Sequence, residues 1–159
     1  ASIYYTLGSC SYFKHDYKRA ILKFKKATAL FPKHFRSYNA WGSCLSNMEK
    51  YEEAIERFKT ATELNEEYTL AQLNWVLVLF LQGKEEEAGK LFEEIQLWGS
   101  GFGWYAKIYK EEVEILEASI IKRKTDKEKR AAMKRIESIH HLLELIQNRI
   151  EIDQGAEIQ

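Results

Sequence analysis

A self-similarity with a period of 34 residues constrains this chain more than any other feature of it. When residues 1–34, 35–68 and 69–102 are superimposed, the same residue types fall at the same offsets. The first unit carries Tyr4, Leu7, Gly8, Tyr17, Ala20, Phe24, Ala27 and Pro32, and the second carries Tyr38, Trp41, Gly42, Tyr51, Ala54, Phe58 and Ala61. The third keeps Trp75, Ala88 and Phe92 and is looser elsewhere. A period of this length belongs to units that cannot bury an apolar face alone and do so against their neighbours. Such a stack serves more readily as a binding surface than as a reaction vessel.

The pattern has a packing logic of its own. Gly8 and Gly42 sit in helical surroundings, where glycine costs about 0.8–1 kcal/mol relative to alanine. That cost is tolerated where another helix must come close, and Ala20, Ala27, Ala54, Ala61 and Ala88 are the matching small residues. Leu7, Trp41, Trp75, Phe24, Phe58 and Phe92 are expected to fill the space between helices; each contributes about 1.5–3 kcal/mol when taken out of water. Breaks at His15-Asp16, Glu49-Lys50 and Gly83-Lys84 divide each unit in two, and Pro32 closes the first. The expectation is six antiparallel helices of about 12–15 residues each.

These units resemble tetratricopeptide repeats, whose pattern asks for an aromatic, Leu-Gly, an aromatic, Ala, Phe or Tyr, Ala and a closing Pro. Unit two departs at Glu66, where Pro is expected; unit three departs at Gln72, Val76 and Ile95. The resemblance covers residues 1–102 of 159. It implies an all-α fold: a right-handed superhelical array of helix-turn-helix repeats. Beyond the array, residues 103–153 are expected to form two longer helices, a hairpin or cap, with 154–159 a disordered tail. Gly99, Ser100, Gly101 and Gly103 mark the joint where the third repeat ends. The chain opens on a repeat helix without an initiator Met, as a fragment of something longer would.

Charge is balanced overall but unevenly spread. Residues 1–34 hold seven Lys/Arg against Asp16 alone, while residues 35–102 hold six basic and twelve acidic residues. The basic cluster Lys18, Arg19, Lys23, Lys25 and Lys26 falls on the second helix of the first unit, an outward face in a stacked array. It reads as a solvated surface; no nucleic-acid motif accompanies it, which argues against a nucleic-acid partner. No stretch approaches the roughly 18 apolar residues of a membrane span. Cys10 and Cys44 stand one period apart, where the third repeat has Val78, so both are expected in a small buried apolar site as free thiols. That points to the cytoplasm or another reducing compartment.

Catalytic chemistry has little to stand on. His15 and His34 fall in turns and are expected to be exposed; His140 and His141 are adjacent and diverge by about 100° on a helix, unlike a metal pair. No glycine-rich phosphate loop, nucleophile elbow or paired-cysteine zinc pattern is present. The expectation is a protein that is not an enzyme, with no cofactor, metal or catalytic residues.

In the family the first helix of each repeat lines a concave groove, and the resemblance carries that role to particular positions. They are Tyr5, Ser9, Tyr12 and Phe13 in the first repeat, and Arg36, Asn39, Ser43 and Asn47 in the second. In the third they are Leu70, Leu73, Asn74, Leu77, Phe80 and Leu81. Such a groove is aromatic at one end, polar in the middle and apolar at the other, suited to an extended peptide. Asn39 and Asn47, lying outside the packing set, are expected to bind peptide without supporting the fold. The clamp by which some family members hold the acidic C-terminal tail of chaperones is missing, its positions being Tyr5, Ser9, Ala40, Leu70 and Asn74.

Residues 70–81 are apolar nearly all round, so they need a cover: the chain's own C-terminal segment or a partner. From Trp104 to about Arg123 runs a longer helical pattern. After a charged stretch, Thr125-Asp126 is placed to cap a last helix. Along it Ile136, Ile139, Leu143, Ile146 and Ile150 keep heptad-like spacing, broadened by Leu142 and Leu145. Those helices either cap the array or pair with a second chain as a homodimer. The sequence thus reads as an interaction module for a protein or peptide: an adaptor, a co-chaperone-like scaffold or an assembly subunit. The rivals are a structural oligomerisation unit and a secretion-type chaperone, though the helix such chaperones carry before their repeats is missing here.

Overall fold

One turn, used three times, sets the architecture. His15 and Glu49 have positive φ (59° and 60°) and so does Gly83 (75°); the three stand one period apart. Around each, the same two backbone bonds close the preceding helix: His15 N–H to Tyr12 O and Asp16 N–H to Ser11 O, then Glu49 to Ser46 and Lys50 to Leu45, then Gly83 to Phe80 and Lys84 to Leu79. This is the Schellman arrangement, in which a left-handed residue satisfies the last carbonyls of a helix.

In this computed structural model residues 1–95, 101–123 and 125–156 are described, and among them only helices occur as regular structure. They are α1 (Ser2–Phe13), α2 (Tyr17–Leu30), α3 (Phe35–Asn47), α4 (Tyr51–Leu64), α5 (Thr69–Leu81), α6 (Glu85–Glu94), α7 (Gly101–Ile120) and α8 (Asp126–Ala156). The six expected repeat helices are all found, α6 the shortest at 10 residues. Glu66, where proline was expected, does not alter its turn. Tyr68 N–H reaches Asn65 O and Thr69 N–H reaches Glu67 O, as His34 reaches Phe31 and Phe35 reaches Lys33 around Pro32.

The chain divides into two compact units, Ala1–Val78 and Leu79–Gln159, the division falling inside α5 rather than at the glycines after α6. In the first unit α1, α2, α3 and α4 pack in succession. Each glycine meets an aromatic ring: a Cβ on Gly8 would lie 2.5 Å from Phe24 Cε1, and one on Gly42 would lie 2.6 Å from Phe58 Cε1. Phe24 and Phe58 are wholly buried. Between repeats, Ala20 and Phe24 of α2 pack with Cys44, Ala40 and Trp41 of α3. Trp41 is flanked by Lys25 of α2 and Arg57 of α4, at 5.1 and 4.5 Å from its ring.

Two expectations for α1 are corrected. Leu7 is 44% exposed rather than filling interhelical space, and Cys10 is exposed while Cys44 is buried. Cys44 and Trp41 are covered by Ala20 and Phe24, on the second helix of the repeat before, whereas the equivalent face of α1 is exposed among the described residues.

In the second unit α7 and α8 pack together, with Tyr109, Val113, Ala132, Ile139, Leu142 and Ile146 buried. Arg135 Nε donates to Glu112 Oε1 at 2.7 Å across the pair. Phe92 of α6 meets Phe102 of α7 with rings tilted by 31° at 5.7 Å, and Phe80 meets His141 of α8 edge-on at 5.5 Å. Thr125 does cap α8, through a reciprocal box: Glu128 N–H donates to Thr125 Oγ1 and Thr125 N–H to Glu128 Oε2. Gly101 and Gly103, read as part of a joint, lie in the first turn of α7, where backbone N–H groups have no helical acceptor to lose. Gly99 and Ser100 lie outside the described residues, as do 157–159 of the expected tail; residues 154–156 are the last turn of α8.

Candidate functional site

The first helices of the repeats are held side by side by two polar links. Asn47 Nδ2 of α3 donates to Tyr12 OH of α1 at 3.2 Å, and Asn74 Nδ2 of α5 donates to Asn39 Oδ1 of α3 at 3.0 Å. Each joins residues 35 positions apart, one more than the period, so the links run diagonally. Asn39 Nδ2 also reaches Tyr68 OH at 3.4 Å, and Asn47 Nδ2 returns to the Ser43 carbonyl of its own helix at 2.8 Å.

The expectation that these asparagines stand apart from the fold is therefore corrected. Asn39 is 7% exposed, and a buried amide keeps its place only when hydrogen-bonded. The hydroxyls follow the same rule at lower stakes: Ser9 donates to Tyr5 O and Ser43 to Asn39 O, both i to i−4 bonds within a helix.

The remaining expected groove residues sort by exposure. Phe13 is 78% exposed, with Tyr12 edge-on to it at 5.8 Å. Tyr5 is half-buried, between Phe24 at 5.9 Å and His34 at 5.3 Å. Arg36 is exposed, its guanidinium 5.3 Å from the Phe35 ring. Leu70, Asn74 and Phe80 are half-buried. Leu73, Leu77 and Leu81 retain 0, 1 and 3% of their surface. These three are core residues. Side chains so fully buried offer a ligand next to nothing, so Leu73, Leu77 and Leu81 drop out of the expected groove.

Two titratable groups belong to this unit's interior. Burial pushes the Cys44 thiol up to about 12, leaving it an inert apolar side chain. His34, expected to be exposed, is half-buried; burial, then the nearby Arg36, lower its pKa. Its Nδ1 lies 2.7 Å from Ser37 Oγ at the start of α3. His140 is exposed and His141 faces Phe80. Among the described residues no group of three or more His, Cys, Asp or Glu is placed to hold a metal ion, and no helix is long and apolar enough to cross a membrane.

Comparison with known proteins agrees with this geometry. Residues 35–68 match the family model for the tetratricopeptide repeat. No curated protein sequence matches. Among solved structures, the crystal structure of MamA is 19% identical, with 93% of this chain and 79% of that chain covered at a TM-score of 0.58. The P58(IPK) TPR domain is likewise 19% identical, with 97% of this chain covered at a TM-score of 0.55, and this chain spans 46% of it. At that identity the likeness is one of fold. Residues 35–68 thus match a tetratricopeptide repeat, and the helix pairs on either side share its turn at its period, in a fold like that of the P58(IPK) TPR domain.

Proposed function

We propose that the protein is a non-catalytic interaction module that takes an extended segment of a partner protein along the first-helix face of its repeats, as an adaptor or assembly subunit. The observation that carries this reading is the pairing of a bonded floor with an exposed aromatic end. Asn47–Tyr12 and Asn39–Asn74 hold α1, α3 and α5 in register, while Phe13, Tyr5 and Arg36 on that face keep accessible surface. Aromatic and arginine side chains on a preorganised surface bind at low entropic cost. The polar middle supplies the hydroxyls of Ser9 and Ser43 and the carboxamide oxygen of Asn47 for a peptide backbone.

Oligomerisation through α8 has less to support it. Ile139, Leu142 and Ile146, the centre of its apolar stripe, are already buried in this chain.

Selection of binders from a displayed random-peptide library against the full chain tests the reading. The selected peptides should lose at least about tenfold in affinity to Ser9→Arg or Phe13→Ser. They should be indifferent to Leu30→Ser, at a position of α2 that is 63% exposed. Peptides untouched by both groove changes would move the binding site elsewhere.

A further inference from the structure

The turn between α7 and α8 gathers charge that the fold does not use. Residues 122–135 hold eight Lys/Arg against Asp126 and Glu128 alone. The rest of the pair is acidic: Glu111, Glu112, Glu114 and Glu117 on α7, and four carboxylates against Arg149 between 136 and 153 on α8. Glu128 is engaged with Thr125 in the cap of α8. Two of the cations are structural as well: Arg135 pairs with Glu112, and Arg123 Nη2 donates to Ser119 Oγ at 3.3 Å. Lys122, Lys127, Arg130 and Lys134 are exposed, and among the described residues none of them is in an ion pair. Lys127, Arg130 and Lys134, at i, i+3 and i+7, share one stripe of α8. Lys127 sits in the first turn, where a cation opposes the helix dipole. Ile121, in the turn itself, is 89% exposed, the most open of the large apolar side chains described. A lone exposed isoleucine is ordinary, but among unpaired cations it completes a surface of two chemistries. The turn is not a stacking face. Helices of an array pack flank to flank, and the sequence stops beyond the other end of α8, 31 residues of helix away, about 45 Å.

We propose that the α7–α8 turn docks on the anionic surface of a lipid bilayer, with Ile121 entering the headgroup layer and Lys122, Lys127, Arg130 and Lys134 meeting lipid phosphates and carboxylates. Charge complementarity selects an anionic partner, and Ile121 selects among anionic partners. A bilayer offers hydrocarbon to an exposed isoleucine. The backbone of a nucleic acid offers none, and residues 120–135 include no aromatic side chain to stack on a base. An acidic polypeptide tail pairs with the cations and leaves the isoleucine in water. The acidic remainder of α7 and α8 is repelled by such a surface, so the charge distribution also sets the orientation, turn first. Attachment of this kind is reversible and is the sum of small increments, one from each cation. It lies on the surface without spanning it, and it does not depend on peptide binding along the first helices of the repeats.

Flotation of the full chain with vesicles tests this. The chain should float with phosphatidylcholine vesicles containing about one third phosphatidylserine and not with pure phosphatidylcholine. Binding should weaken about tenfold or more in high salt, and roughly tenfold in Ile121→Ser. Lys122→Ala, Lys127→Ala and Arg130→Ala together should weaken it at least about fiftyfold. Lys18→Ala, Lys26→Ala and Lys33→Ala, which remove as many cations from the first repeat, should leave it unchanged. Every side chain changed is exposed, so each variant should keep the circular dichroism spectrum of the parent. The proposal is overturned if the chain ignores anionic vesicles, if it floats equally with neutral ones, or if the two triple variants behave alike. It also fails if Ile121→Ser binds as the parent does, or if a labelled DNA duplex or poly-glutamate binds more tightly than the vesicles, since the turn would then serve a soluble polyanion.

Discussion

Gly42 has no side chain because Phe58 occupies its place. The Phe58 edge would lie 2.6 Å from a Cβ there, and the ring is wholly buried, with nowhere to retreat. Gly42→Leu gains about 1 kcal/mol of helix propensity but overpacks this contact by about 3 kcal/mol. A net loss of about 2 kcal/mol is expected, read as a lower urea midpoint. Asn39 is as constrained for a polar reason: Asn39→Ala removes the acceptor of Asn74 and should destabilise the protein by about 1–2 kcal/mol, measured the same way. His34 adds a dependence on pH. Its pKa is lower in the folded chain than the ordinary value of about 6.5. Between those two values the unfolded chain binds more protons, so stability is full above about 6.5 and falls as pH drops through that window. The urea midpoint should fall more from pH 7.5 to pH 5.5 in the parent than in His34→Gln; equal slopes would place the titration elsewhere.

At the scale of elements, the turns and the helix pairs were legible from residues, and the surfaces were not. Breaks at 15–16, 49–50 and 83–84 were readable because a left-handed turn recurs there, although only Gly83 is the residue that conformation favours. Glu49→Gly should accordingly raise stability by roughly 1 kcal/mol, the left-handed penalty exceeding the entropy glycine adds to the unfolded chain; an unchanged melting temperature would refute that accounting. Thr125 as a cap was equally visible, since a threonine three residues before a glutamate is a local signal. The exposure of Cys10 was not visible. Equal letters at equal offsets promise equal burial only when both have the same neighbour, and a neighbour is a property of the stack rather than of the repeat. The asparagines misled for a related reason: their partners are 35 residues away, beyond any local pattern.

At the scale of the molecule, the second unit joins the end of α5 to α6, α7 and α8, and its burial is shared among all of them. Phe92 meets Phe102, and Phe80 meets His141, so a chain cut after Ile95 would leave large apolar side chains in water. Light scattering should find the full chain monomeric and the shortened one aggregated; a dimeric full chain with a soluble monomeric truncation would make α7 and α8 an intermolecular interface instead. Composition alone could not have drawn the boundary inside α5, because a helix apolar on every side gives no hint of where one core ends and the next begins.

The two cysteines, twins in sequence, end up as different reagents. One is open to solvent; the other is buried, its thiol held at about 12. A maleimide offered to the folded protein therefore finds a single attachment point. The second site becomes available only when α2 lifts from α3, so the chain carries a chemical clock for the separation of its first two repeats.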